Sequence, residues 1–299
     1  MIAVSIVSYN TSSLLKKLLE NLSAQKDIKT EIWVLDNNSE DDSVEMIKKN
    51  FPKVHLIESK ENTGFAKGQN ILLKKITSPL ILILNPDTRL ENDSLSKMHY
   101  FMQSNPEVGI ASSKVLDSKG NLTSNGGNFP YGISLLSWLF NFDKAGIPSF
   151  HRNDQDFSNL SEAKTSSSAN DQMIWVSGAF MMVRKDVLEK VNYFNEDYFM
   201  YFEDVELCYK ASKLGYRVAI NPNTQITHLS GASSKNPRFN QWKGEMRGLI
   251  KFSYKNFGTF YGIYVGLLVR LAIVLRIITF AVLGKLDYSG TYTKVLFSL

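Results

Sequence analysis

Through its first 114 residues the chain alternates short apolar runs with amphipathic stretches, and no other feature limits its fold so strongly. Apolar runs too short for a helix, each followed by a helical repeat, are what βα units on a parallel sheet require. Ile2–Ser8, Glu31–Asp36, Val54–Glu58 and Leu80–Leu84 read as strands. Between them Leu14, Leu15, Leu18, Leu19 and Leu22 recur at helical spacing, as do Val44 with Ile47, and Ile71 with Leu72 opposite Lys74 and Lys75. In open sheets of this kind ligands sit outside the carboxyl ends of the strands. There the sequence places Tyr9-Asn10, Asp36-Asn37-Asn38-Ser39, Asn62-Thr63-Gly64 and Asn85-Pro86-Asp87.

Farther along, the pattern loosens. Asp117-Ser118-Lys119-Gly120-Asn121 and Asn125-Gly126-Gly127-Asn128 are turn signals between short extended runs. The polar stretch from His151 to Asp171, with Thr165-Ser166-Ser167-Ser168 at its centre, predicts a mobile surface loop. An apolar run from Met173 to Val183 follows, then a helix from Asp204 to Leu214 stopped by Gly215, then strands near Tyr216–Ile220 and Thr224–Thr227. A hydrophobic share of 43% over 299 residues can build one sizeable core. The net charge of +5 and pI near 9.0 suit nucleotide phosphates or an anionic membrane surface, and the excess is too small to argue for nucleic acid. The single cysteine, Cys208, excludes an internal disulfide framework and reads as an inert core thiol. With the apolar opening Ile2–Val7, which shows no basic leader, it predicts a cytoplasmic setting.

Seven strings stand in a telling order: Val7-Ser8-Tyr9-Asn10, Val34-Leu35-Asp36-Asn37-Asn38-Ser39, Glu61 through Asn70, Asn85-Pro86-Asp87, Trp175-Val176-Ser177-Gly178-Ala179, Phe202 through Cys208, and His228-Leu229-Ser230-Gly231. Together they resemble the inverting family 2 glycosyltransferases of the GT-A fold, and within them the rhamnosyltransferase-like branch, over roughly Ile2 to Ser234. The resemblance implies an α/β fold with a mainly parallel nucleotide-binding sheet flanked by helices. It implies a glycosyltransferase domain over 1–236, with a nucleotide-binding half to about 114 and an acceptor half beyond, while 237–299 reads separately, from its apolar pattern, as a C-terminal membrane-associating helical region. It further implies a nucleoside diphosphate sugar donor, dTDP-rhamnose first and a UDP-hexose or UDP-N-acetylhexosamine second, bound by Ser8, Tyr9, Asn10, Asp36, Asn62, Gly64 and Asn85. By the same resemblance Asp87 and His228 hold Mg²⁺ or Mn²⁺, Trp175 and Gly178 face substrate, and Asp204, with Glu203 beside it, takes the proton of an attacking hydroxyl. The acceptor implied is a cell-surface polysaccharide or lipid-linked glycan precursor.

Each position also has a plainer reading. Asp36 can accept the N3–H of uracil or thymine while Tyr9 offers a face for the ring, or it can close an Asx turn before the next helix. Asn62-Thr63-Gly64 with Gly68 can turn free N–H groups toward an anion, or serve a turn and close helix packing. Asn85 stands where many relatives carry the first carboxylate of an Asp-x-Asp pattern. Asp87 is an oxygen ligand of the kind hard cations prefer, and an ordinary Asn-Pro-Asp turn looks the same. An imidazole such as His228 is a competent ligand for Mn²⁺ and a poorer match to Mg²⁺, and a lone histidine is also often structural. Acidic residues in a first helical turn need no catalytic explanation, and a carboxylate neighbour and a helix N-terminus shift a base's pKa in opposite directions. The strip Tyr198–Phe202 suits a sugar or a core. A non-catalytic nucleotide-sugar-binding protein could keep the first half, and a docking subunit the last, but neither needs Asp36, Asp87 and Asp204 in this order.

From Phe257 to Gly284 the only formal charges are Arg270 and Arg276. As one helix this stretch would run about 42 Å at 1.5 Å per residue, enough to span a bilayer. Each arginine near the centre would cost roughly 2.5–3.5 kcal/mol, and Gly258, Gly262 and Gly266 can break the run. A helix pair lying on the cytoplasmic face of the membrane, with Lys251, Lys255, Arg270, Arg276 and Lys285 toward anionic headgroups, asks less of the sequence than a span, and a buried soluble or oligomer helix is the third reading.

Overall fold

The structure, a computed structural model, describes residues 1–25, 27–151, 174–229 and 237–299. The loop expected between His151 and Asp171 lies, past His151, outside the described residues, as does Ser230-Gly231.

Strand β1 (Ile2–Ser8) takes the middle of a parallel set because it is apolar on both faces. On one side it pairs with β2 (Thr30–Asp36), beyond which lies β3 (His55–Glu58), and on the other with β4 (Leu80–Leu84), buried at every position. Helices α1 (Ser12–Ser23), α2 (Ser43–Asn50) and α3 (Gly64–Leu73) follow the first three strands. Helix α1 buries Leu15, Leu18, Leu19 and Leu22, the spacing that marked it in the sequence. In α3, Gly68 lets the helix lie close on the sheet, since a Cβ there would come within 3.1 Å of Val7 and Leu35. The chain moves outward from β1 to β3 and then returns to β1's other side, so the ends of β1, β2 and β4 border one crevice.

Beyond β4 the directions mix. Strand β10 (Phe180–Arg184) runs antiparallel to both β4 and β6 (Val108–Leu116), and β11 (Arg217–His228) runs parallel to β6. The end of β11 pairs antiparallel with β5 (Thr88–Leu90). The two strands expected near Tyr216–Ile220 and Thr224–Thr227 are thus one. Its register against β6 slips between Asn221 and Gln225, where Pro222 has no N–H for the ladder. The pair β8 (Gly126–Asn128) with β9 (Ile174–Val176) lies with α5 (Gly132–Phe140) and α7 (Glu203–Lys213) beyond the parallel strands. Cys208 is buried in α7 and burial pushes its thiol pKa up, as a core thiol requires.

The C-terminal region departs from expectation. It forms three helices, α8 (Pro237–Phe257), α9 (Thr259–Val282) and α10 (Leu286–Ser298), and the main hydrophobic core runs into them through Met246, Leu249, Phe252, Val265 and Val269. Of the glycines expected to break the run only Gly258 does, at φ +87°; Gly262 lies inside α9 under the ring of Tyr254. Four of the cations expected to face headgroups are engaged by groups of the protein, although Lys255 and Arg270 stay exposed, as does Lys285. Arg276 donates to the carbonyls of Trp138 and Leu139, Arg270 to those of Gly266 and Leu299, and Lys251 and Lys255 bind the carbonyl and carboxylate of Asp197. Carbonyls at helix ends lack intrahelical partners, and folding brings them to arginines that look unpaired in the sequence. What α9 shows outward is apolar: Phe260 (91% exposed), Leu267, Leu271, Ile278 and Val282 recur at helical spacing.

Candidate active site

At the end of β2, Asp36 is 2% exposed, and its two oxygens differ. Oδ2 accepts the N–H of Ser39, closing the Asx turn, while Oδ1 is buried without a partner. A buried carboxylate oxygen left in this way is costly unless something donates to it. At the end of β1, Tyr9 keeps 38% of its surface exposed. Its neighbours are occupied in holding loops: the Ser8 and Thr11 hydroxyls bond each other at 2.7 Å, and Asn10 Oδ1 accepts the Glu40 N–H. Asn62 Oδ1 likewise accepts from Asn37 and from the Gly64 N–H. Gly64, at φ +78°, is pressed on the Phe199 carbonyl, which accepts the N–H of Phe65. Asn62 thus fixes this loop to Asn37, the Phe65–Phe199 bond ties it to the segment before α7, and the first N–H groups of α3 are already spent.

The run β4 ends at Asn85, whose N–H donates to the Ala179 carbonyl and whose carbonyl accepts the Thr88 hydroxyl. That turn leaves Asp87 only 5% exposed, and the β5–β11 ladder sets His228 opposite Thr88. Asp87 Oδ1 and His228 Nε2 meet at 3.2 Å, so two residues 141 positions apart in the sequence are brought together. Among the described residues no group of three or more His, Cys, Asp or Glu side chains forms a complete protein cage. One carboxylate and one imidazole, open to further oxygens, is a donor set that fits Mn²⁺ or Mg²⁺ completed by substrate phosphates.

Across the crevice, Tyr201 and Phe202 stand in succession at φ +71° and +76°, a conformation costing of order 1–3 kcal/mol per non-glycine residue. This turn starts α7 at Glu203. Asp204 is held at both oxygens, Oδ2 by the Gly178 N–H at 3.0 Å and Oδ1 by the Val205 N–H at 2.8 Å. Glu203 is buried with Oε2 unpartnered. Burial raises both pKa values, Glu203 well above the ordinary range because the Asp204 charge adds to it. Asp204, with its two N–H donors, is the member that ionises first. Trp175 does not line the crevice. It is 6% exposed, stacked on Phe150 at 4.7 Å, and donates its indole N–H to the Phe150 carbonyl, so it is core beneath the site.

A sequence model described as Glycosyl transferase family 2 matches residues 3–191, more than half of the chain. The chain belongs to that family. Relatives include the rhamnosyltransferase WbbL of Escherichia coli K12, 28% identical over 77% of this chain and 84% of that protein. The low-salt glycan biosynthesis hexosyltransferase Agl10 of Haloferax volcanii is 24% identical over 71% of this chain and 62% of its own length. Among solved structures, the mannosyltransferase PcManGT from Pyrobaculum calidifontis in complex with GDP-Man and Mn²⁺ aligns with a TM-score of 0.62 at 17% identity, over 99% of this chain and 85% of that one. The fold is that of the GT-A glycosyltransferases.

Of two further side chains near this site, Tyr201 was read in the sequence as part of the strip Tyr198–Phe202, and Glu245 was not singled out. Burial, with the negative charges of Glu245, Glu203, Asp87 and Asp204 adding to it, pushes the Tyr201 phenol up to about 12. Glu245 comes from α8, outside the matched residues, and its pKa rises to about 7 through burial, with Asp204 adding to the effect. No local pattern marks it, since Gln241-Trp242-Lys243-Gly244-Glu245 reads as an ordinary helix surface.

Proposed function

We propose that this chain transfers a sugar from a nucleoside diphosphate to a hydroxyl of a cell-surface polysaccharide or lipid-linked glycan precursor, with inversion at the anomeric carbon. What carries this reading is that a chain of this family brings Asp87 and His228 to 3.2 Å beside the parallel strands and holds Asp204 by two N–H groups at the start of α7. Asp36 Oδ1 accepts the N3–H of a pyrimidine stacked on Tyr9. The rhamnosyltransferase relatives favour dTDP-rhamnose, with a UDP-hexose as the alternative, and Asp36 suits the base of both. Asp87 and His228 hold a Mg²⁺ or Mn²⁺ ion, which when bound offsets negative charge on the diphosphate. Asp204, oriented by the Gly178 and Val205 N–H groups, takes the proton of the attacking hydroxyl, and raising its pKa by burial strengthens it as a base. The apolar face of α9 rests in the cytoplasmic membrane surface, which keeps the site beside a lipid-linked acceptor.

The test is release of nucleoside diphosphate from dTDP-rhamnose, UDP-glucose and UDP-N-acetylglucosamine with Mn²⁺ or Mg²⁺ present. One donor is expected to turn over, and Asp204→Asn to slow transfer by roughly 10²–10⁴-fold with donor affinity kept. Release from none of them, or a variant as fast as the parent, defeats the proposal.

A further inference from the structure

A cavity of about 590 Å³ lies between α5, α8, α9 and α10, and none of the residues assigned above to donor, metal or proton transfer lines it. Its lining carries two formal charges, the Glu245 carboxylate from α8 and the Arg276 guanidinium from α9. His151 adds none, because burial pulls its pKa down to about 4. Both charged groups are anchored and keep bonding capacity. Glu245 Oε1 accepts Gln241 Nε2 at 2.9 Å, and a carboxylate has room for further donors. Arg276 is fixed to the end of α5, where Nη2 donates to the Trp138 and Leu139 carbonyls at 3.0 and 3.1 Å, and a guanidinium carries further N–H groups beyond that nitrogen. Aromatic rings complete the lining, with Trp242 and Phe280 stacked on Tyr292 at 4.1 and 5.8 Å.

One charge of each sign in a single cavity selects by charge pattern. A simple anion is drawn to Arg276 and repelled by Glu245, a simple cation the reverse, and a ligand carrying both signs satisfies the two together. An ammonium donates N–H groups to a carboxylate and is attracted to indole faces, while a phosphate accepts from a guanidinium. The volume falls within the range of small-molecule sites. The mouth says what else the ligand carries. Leu275 and Thr279 line the cavity and are exposed on α9, on the same side as Leu271 and Ile278 of the apolar stripe. A ligand held inside by its polar end therefore meets apolar surface where it leaves, and that is the shape of an amphiphile.

We propose that this cavity binds the headgroup of a zwitterionic, amine-bearing phospholipid, its ammonium on Glu245 and its phosphate on Arg276, with the acyl chains leaving past Leu275 and Thr279 over α9. The inference rests on the membrane-surface reading for its setting, but the binding it asserts can be measured without a membrane. The probes are dihexanoyl phosphatidylethanolamine, phosphatidylcholine and phosphatidylglycerol, each below its micellar concentration, and glycerophosphoethanolamine, followed by saturation-transfer NMR and calorimetry. The ethanolamine lipid should bind saturably and several-fold more tightly than the choline lipid, which has no N–H for Glu245, or the glycerol lipid, which has no cation. Glu245→Gln should weaken it by about tenfold, the worth of a hydrogen bond to a charged group. Thr279→Trp should also weaken it by obstructing the exposed mouth, and affinity for UDP or dTDP checks the folding of each variant. Glycerophosphoethanolamine, the same headgroup without chains, should bind more weakly; equal affinity would remove the chains from the site and overturn the lipid assignment. Equal binding of the three lipids, a preference for the glycerol lipid, no binding at all, or variants that bind like the parent would overturn the inference as well. Binding of the ethanolamine lipid by a chain that ignores vesicles would leave it standing and bring down the membrane-surface reading instead.

Discussion

At residue scale the two sequence readings of Asp36 turn out to be compatible, because a carboxylate has two oxygens and the Asx turn uses one. Asp87 is similar in that its backbone serves a turn while its side chain meets His228. Asp87→Ala should abolish the gain in UDP or dTDP affinity that Mn²⁺ provides, measured by calorimetry with and without the ion. A full metal-dependent gain in that variant would reduce Asp87 to a turn residue. Glu203 makes a prediction about stability. Its folded pKa is raised well above 4.5 by burial, so the folded chain holds this proton more tightly than the unfolded chain. Stability is then fully present below the unfolded value and is lost as pH rises through the folded one. Glu203→Gln removes the cost of charging, and the excess of its melting temperature over the parent's should grow between pH near 4.5 and pH near 8 in metal-free protein. A gap that stays constant would mean that Glu203 carries its charge without penalty.

At the scale of elements, the parallel strands were legible because burial on both faces leaves an unmistakable apolar run, and β1 and β4 have the limits read from sequence. Strand β11 was not, since Asn221-Pro222-Asn223 looks like a terminator until β6 is seen to tolerate the slip in register. Nor was the fit of α8 on the Tyr201-Phe202 turn. A Cβ at Gly244 would lie 2.3 Å from the Tyr201 ring, and one at Gly248 2.6 Å from Phe202. Phe202 also stacks on Phe150 at 5.3 Å, so the strained turn is held from two sides. Alanine in a helix interior ordinarily gains up to about 1 kcal/mol over glycine, while overpacking costs about 1–3 kcal/mol. The second effect should win. Gly244→Ala is expected to lower the melting temperature and to reduce transfer more than donor affinity, because Tyr201 borders Asp204. A more stable, fully active variant would show that the ring is not seated on the helix.

At the scale of the whole molecule, the crevice and the apolar stripe of α9 are parts of one body joined through α8. With Arg270, Arg276, Lys251 and Lys255 engaged by protein groups, the stripe, more than charge, should govern attachment to lipid. Leu267→Glu combined with Leu271→Glu, both on the exposed face, should release the chain from sedimenting vesicles of neutral or mixed lipid while leaving UDP or dTDP affinity unchanged. Vesicle binding that survives the double substitution would put the contact elsewhere. The helical character of this region was legible from its apolar length, but the engagement of its arginines was not, because the carbonyls they meet outside their own helix belong to α5 and to the last residue, Leu299. The seating of Tyr201 and Phe202 on Gly244 and Gly248 also bears on how such enzymes can recombine. A tail exchanged between relatives at residue 237 would need positions 244 and 248 small enough to clear Tyr201 and Phe202, so α8 and that turn should be exchanged together although they are separated in the sequence.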